Sequence, residues 1–159
     1  MVSPPPSTAE LSKEELLDAP LRAFGFEIDL ISAHKVSGRL QVTPNCCQPF
    51  NVLHGGVSAL IAEGLASIGA YTAAGKRRVA GIQLGINHLK TAQVGDIVLV
   101  EAAPLSAGKT IQVWEVQFWK INSSNSENRV LIASSKVTIV CNIIENPKDA
   151  QRNVKYSKL

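Results

Sequence analysis

The stretch that most constrains what this chain can fold into runs from Gln48 to Ser67, QPFNVLHGGVSALIAEGLAS. Polar and turn-forming residues lead to His54-Gly55-Gly56, and helical spacing then continues to about Ala74. Every residue of the helical part is apolar, small or weakly polar except Glu63. A helix uncharged all round is a buried helix. A carboxylate within one is costly unless it is paired or used for chemistry. Glu63 therefore needs a reason to be there.

At 100° per residue, Val57, Leu60, Ile61, Gly64, Leu65 and Ile68 form a stripe suited to lie on a sheet. The other side carries Ala59, Ala62, Glu63, Ala66, Ser67 and Ala70, small residues without solubilising charge. A second surface is expected to pack there, most economically a second copy of the chain. Ser67 stands four residues after Glu63, so its hydroxyl can reach the carboxylate or a water beside it. A back-bond to the helix carbonyl is equally open to it.

Gly55 and Gly56 fall where the helix should start, and the first N–H groups of a helix are unpaired at its positive end. Without side chains in the way, a carbonyl oxygen can approach and have its negative charge stabilised. On its own the Gly-Gly pair reads as a tight turn. Glu63 lies eight residues beyond Gly55, about 12 Å along one helix. Two groups acting on one carbonyl must each come within about 3 Å of it. If both act, Gly55 of one subunit must meet Glu63 of another, as a symmetric dimer allows.

The remainder of the chain supplies strands. Ser12-Lys13-Glu14-Glu15 is a capping-box pattern, which predicts a short helix ending before Pro20. Strands are predicted over Phe24–Ser32 and Val36–Thr43, joined by a turn near Ala33-His34. After the long helix come Val79–Lys90, Asp96–Leu105, Thr110–Ile121 and Val130–Cys141. Turn chemistry at Gly95-Asp96, Ala107-Gly108 and Asn122–Asn128 separates them. In the third strand Ile82, Leu84, Ile86 and His88 share a period-two register. Two strands, one buried helix and four strands predict an α+β domain, a helix packed across an antiparallel sheet. The domain is expected over residues 21–145, between an N-terminal tail and short helix (1–20) and a polar tail (146–159).

A length of 159 residues with 45 % apolar and 18 % charged content suits one globular domain. The net charge of +3 is not gathered into a stripe, which speaks against nucleic acid but suits a phosphorylated small molecule. Cys46, Cys47 and Cys141 have neither disulfide nor zinc spacing, so reduced thiols and no metal are expected. No run of about 18 apolar residues spans a membrane, and MVSPPPSTAE lacks the blocks of a secretory signal. Ser157-Lys158-Leu159 form a C-terminal tripeptide read by the peroxisomal import receptor, which predicts a peroxisomal location.

In order along the chain stand Gln48, HGG at His54–Gly56, Glu63, GINHLK at Gly85–Lys90 and AGKTIQVWEV at Ala107–Val116. Together these motifs resemble the hotdog-fold acyl-CoA thioesterases, in the branch with a helical Glu that acts on aromatic acyl-CoA. The resemblance covers roughly Phe24 to Cys141. It implies hydrolysis without a cofactor, CoA being part of substrate and product, in a homodimer or homotetramer with shared sites. It implies that Glu63 is nucleophile or general base, and that the Gly55 N–H polarises the thioester carbonyl. Gln48 would orient the carbonyl or the water, His54 would support the turn and the carbonyl site, and Ser67 would position water near Glu63. For substrate and CoA it points to Gly56, Gly81, His88, Leu89, Lys90 and Thr91. It also points to Ser106, Ala107, Gly108, Lys109 and Thr110, where many relatives carry a Ser-Arg pair in place of Lys109-Thr110. Lys90 and Lys109 suit phosphates, although each also reads as an ordinary solvated lysine. A lone His such as His54 or His88 is more often structural than catalytic. No GxSxG elbow supports a serine hydrolase, and adjacent Cys46 and Cys47 lack an evident activating base. A broader aryl- or acyl-CoA thioesterase and a non-catalytic acyl-CoA binder are the alternative readings.

Overall fold

The computed structural model describes residues 12–122 and 125–143. Its elements are α1 (Lys13–Leu16), α2 (Ala19–Ala23), β1 (Glu27–Ile31), β2 (Val36–Gln41), α3 (Gly55–Ala73), β3 (Val79–His88), β4 (Ile97–Ala107), β5 (Ile111–Asn122) and β6 (Asn125–Cys141). The six strands form one antiparallel sheet in the order β1-β2-β4-β5-β6-β3, with α3 packed across it. The α+β expectation is met, and the architecture is that of a hotdog fold.

The capping box of α1 forms as its sequence predicts: Ser12 Oγ accepts from Glu15 N at 3.2 Å, and Glu15 Oε2 accepts from Ser12 N at 2.8 Å. The capping-box pattern predicts a helix that ends before Pro20, but a second short helix, α2, contains that proline in its first turn. Proline's missing N–H is no loss there, because first-turn N–H groups have no intrahelical partner. The polar run Asn122–Asn128 is not all linker, since β6 begins at Asn125 and pairs with Asn122.

The core fills the space between α3 and the sheet. Trp114, Val116 and Phe118 of β5 and Val137 and Ile139 of β6 are fully buried against Ile61 and Leu65. Close approach is possible because of glycines in α3: a Cβ at Gly69 would collide with the Trp114 ring, and one at Gly64 would meet Leu21 Cδ1 at 2.7 Å. The expected helix faces need correction. Ala62, Ala66 and Ala70 are fully buried within the one chain, so they leave no wide back face. What stays open is a narrow strip of Gly56, Ala59, Leu60, Glu63, Ser67 and Tyr71, at helical spacing. Glu63 is exposed rather than buried.

A second correction falls on β3. Its register against β6 shifts between Gly81 and Gln83, so Ile82 is an extra residue in the strand. Leu84 and Ile86 pack on the core, but Ile82 is displaced from their register and is 59 % exposed. The bulge has a positional consequence. It lets Gly81 before it, and Ile86 and His88 after it, all face the helix.

Candidate active site

The candidate residues fall into two groups at opposite ends of β3. The first surrounds the start of α3. His54 is the N-cap, and its Nδ1 accepts from Gly56 N at 2.8 Å, so the neutral imidazole carries its proton on Nε2. The His54 carbonyl accepts from Val57 N at 3.0 Å and from Ser58 N at 3.1 Å. Gly55 N–H is thereby the one backbone donor of this turn with no acceptor among the described residues. His54 thus caps the turn that presents Gly55.

Gln48 is locked beside this turn. Its backbone N donates to Val52 O at 2.9 Å, and its side-chain Oε1 accepts from Phe50 N at 2.6 Å. With the amide oxygen occupied, the NH2 is what the side chain can offer a ligand. His54 N donates to Cys46 O and Leu53 N to Ala92 O, which ties both ends of the loop down. Gln48, Gly55, Ser58, His88, Lys90 and Thr91 line a cleft of about 240 Å³. The His88 ring lies against Gly55, where a Cβ would stand 3.0 Å from its Cε1. The Leu89 and Lys90 N–H groups share Ile132 O, at 2.8 and 3.1 Å, which fixes the strand end. Ser58 was not foreseen, although it follows Gly55 by three residues and so shares its side of the helix.

The second group centres on Glu63, which makes no hydrogen bond or ion pair with the described residues. Its carboxylate lies over Gly81. Ser67 is half-buried beside it and makes neither the bond to Glu63 nor a back-bond to the helix, whereas Thr72 does back-bond to Ile68 O at 2.8 Å. The exposed residues Ser106–Thr110 end β4 and turn into β5, and Gly108 is required there, since a Cβ would stand 2.5 Å from Ile111 O. Cys141 N donates to Thr110 O at 2.7 Å, and the Asn142 amide donates to Lys109 O. Cys141 pairs with Val79 and Ala133 with His88. Eight strand residues, about 26 Å, separate those pairs. The expected CoA residues are therefore split within one chain: His88–Thr91 stand with Gly55, whereas Gly81 and the 106–110 turn stand towards Glu63.

All three cysteines are free thiols. Burial, and then the neighbouring Cys46, push the Cys47 thiol up, and burial does the same to Cys141, so the nucleophilic thiolate is disfavoured. Among the described residues no three His, Cys, Asp or Glu side chains converge as metal ligands. No helix among them is long and apolar enough to cross a membrane.

Comparison with known proteins bears on the family. Residues 50–125 match the family model of the thioesterase superfamily. The chain is 51 % identical over 147 residues to 1,4-dihydroxy-2-naphthoyl-CoA thioesterase 2 of Arabidopsis thaliana, covering 91 % of this chain and 94 % of that protein. It is 36 % identical to a 1,4-dihydroxy-2-naphthoyl-CoA hydrolase of Listeria monocytogenes, over 73 % of this chain and 89 % of the other. A thioesterase crystal structure from Haemophilus influenzae superposes with a TM-score of 0.70 at 26 % identity, covering 87 % of this chain and 96 % of that one. By fold, by family model and by these relatives, the chain belongs to the thioesterase superfamily and is a thioester hydrolase.

Proposed function

We propose that the chain hydrolyses an aromatic acyl-CoA, 1,4-dihydroxy-2-naphthoyl-CoA of phylloquinone biosynthesis, at sites shared by two copies and inside the peroxisome. The observation that carries the shared site is the separation of its two halves. Gly55 offers an unspent N–H and Glu63 an unpaired carboxylate, yet they stand about 12 Å apart along one helix. Both flank β3, a ten-residue edge strand without an acidic or basic residue other than His88. Long edge strands left unguarded by charge or proline are templates for pairing with another chain. An antiparallel copy of β3 centred on Gly85 sets the Gly81-Ile82 step of one copy opposite His88 of the other. The two-fold axis then runs perpendicular to the sheet, so both helices share one face and Glu63 of one copy approaches Gly55 of the other.

In such a site the Gly55 N–H polarises the thioester carbonyl, and the Gln48 NH2 orients the carbonyl or the water. Glu63 either removes a proton from attacking water or attacks the carbonyl itself, with water cleaving the resulting anhydride. Either route consumes one water, breaks the C–S bond and releases the acid, while the CoA thiolate takes up a proton. The chemistry calls for no metal and no redox cofactor. Lys90 from one copy and Lys109 from the other would hold CoA phosphates.

The naphthoyl substrate rests on the relatives at 51 % and 36 % identity whose names carry it. The location rests on Ser157-Lys158-Leu159, which lie outside the described residues. Deleting those three residues from a fluorescent fusion should release it from peroxisomes.

The decisive experiment mixes two inactive variants. Glu63→Gln should lower kcat by about 10³-fold, within the range for loss of a general base, while leaving folding and CoA affinity intact. Gly55→Pro removes the N–H at a position where helices accept proline, and His54 already has a compatible ψ of 128°. Co-assembled, the two variants should recover up to half the wild-type rate per mixed dimer, because one site in two is whole. No recovery in mixed dimers verified by mass would overturn the shared site. Full turnover by Glu63→Gln would overturn the role of Glu63. Thiol release from a panel of aryl and aliphatic acyl-CoAs decides the substrate, and preference for aliphatic chains would overturn the naphthoyl assignment.

A further inference from the structure

Ser58 is one residue of the cleft that the mechanism above does not use. It is only 3 % exposed, yet its hydroxyl makes no hydrogen bond with any described residue. A serine in a helix ordinarily returns its hydroxyl to the carbonyl four residues back, here that of His54. That carbonyl already accepts from Val57 N and Ser58 N, which occupies both of its lone pairs. The other nearby acceptors are spent as well: His54 Nδ1 takes Gly56 N, and Gln48 Oε1 takes Phe50 N. Two donors of this turn are left over, Gly55 N–H and Ser58 Oγ–H, and both residues line the same cleft.

Their relative placement suits one acceptor. Ser58 lies three residues, about 4.5 Å of helix rise, beyond Gly55. The Cα–Cβ bond of a helical residue tilts towards the N-terminus, so the Ser58 side chain starts out towards the first turn. Leu53 and Ala133 supply apolar wall to the cleft, which strengthens a hydrogen bond made inside it. Two donors that line one cleft without an acceptor of their own select an oxygen that carries, or develops, negative charge.

We propose that Ser58 Oγ–H is a second donor to the thioester carbonyl, acting beside Gly55 N–H as that oxygen becomes an oxyanion. This rests on the hydrolase reading of the cleft and adds a residue to its carbonyl site. The bond strengthens as charge builds up, so it should weigh on kcat more than on KM.

The test compares wild type, Ser58→Ala and the nearly isosteric Ser58→Cys, whose thiol is a poor donor. Both variants should lose roughly 100-fold in kcat, the scale seen for one oxyanion donor, with KM changed little. Two inert CoA analogues separate donation from packing: a ketone in which CH2 replaces the thioester sulfur, and an arylmethyl thioether without a carbonyl. Both variants should bind the ketone more weakly than wild type does and bind the thioether equally well. Full kcat in both variants would overturn the proposal, as would equal loss of affinity for both analogues. Failure of the mixed-dimer experiment leaves these outcomes intact, because they report on Ser58 and a carbonyl, whichever copy supplies Glu63.

Discussion

Gly81 of the edge strand lies directly beneath the carboxylate of Glu63, and a Cβ there would stand 2.9 Å from Oε1 and 3.5 Å from Cδ. The family resemblance implies that this glycine is a contact for CoA. Its position gives it a prior duty, since the space its missing side chain leaves is the space the Glu63 carboxylate occupies. Gly81→Ala should push that carboxylate aside without disturbing the sheet. Misplacing a reacting group by about 1 Å can cost 10²-fold in rate, so kcat should fall by about 10- to 100-fold with the melting temperature nearly unchanged. Steady-state kinetics beside a thermal melt check this, and an unchanged kcat would mean that the carboxylate does not need its observed place.

Ile82 tests the edge. It is the extra residue of the β3 bulge and is largely exposed in the single chain. Lysine on an edge strand discourages pairing with another chain. Ile82→Lys should shift the protein to monomers in sedimentation velocity and abolish turnover in the same samples, since each site would be left with one half. Monomers that keep full activity would contradict a site shared between copies.

The helix–sheet contact should be unforgiving at Gly69. The Trp114 ring fills the place of a Cβ there, and Trp114 Nε1 donates to the buried Gln112 Oε1 at 2.8 Å, which holds the indole in position. Overpacking a close-packed core costs about 1–3 kcal/mol. Gly69→Ala should lower the urea midpoint by a corresponding amount while leaving the denaturant slope unchanged. A midpoint equal to wild type would show that the indole can yield.

Glu101, on the sheet face away from α3, should contribute to acid stability. Partial burial pushes its carboxyl up, but the hydrogen bond and charge of Lys35, at 2.6 Å, and of Arg129, at 3.1 Å, more than offset this and hold it below its ordinary value. A carboxyl whose folded pKa is depressed stabilises the fold above its unfolded pKa, near 4.3, and loses that contribution as pH falls through the folded value. Lys35 and Arg129 are 45 % and 40 % exposed, so solvent screening limits the gain to about 1 kcal/mol or less. Glu101→Gln should therefore flatten the decline in stability between about pH 5 and pH 3, as read by urea unfolding across that range. An equally steep decline would place the acid sensitivity elsewhere.

Much of this was legible in the residues themselves. Strand and helix alternation, the capping box at Ser12 and the HGG start of the long helix are local patterns. Local geometry converts them into elements whatever the rest of the chain does. The offset between Gly55 and Glu63 was equally legible, because it is a length along one helix. Other expectations failed for a common reason. Ala62, Ala66 and Ala70 read as an open face, yet α2 and the sheet cover more of the helix than one stripe. Ile82 reads in register with Leu84, yet one extra residue in the strand displaces it.

By itself, then, the sequence determined the fold class, the order of the elements and the identity of the one carboxylate that the long helix had to explain. Periodicity and capping act over a few residues, and so they are written in the chain. Only the tertiary structure decided which residues meet. The β3–β6 register with its bulge turns both Gly81 and His88 towards the helix, one under Glu63 and the other against Gly55. Hydrogen bonding around His54 decided which donors remained unspent, Gly55 N–H and the Ser58 hydroxyl. Those outcomes depend on pairing between segments far apart in sequence, where a shift of one residue reverses the face a side chain presents.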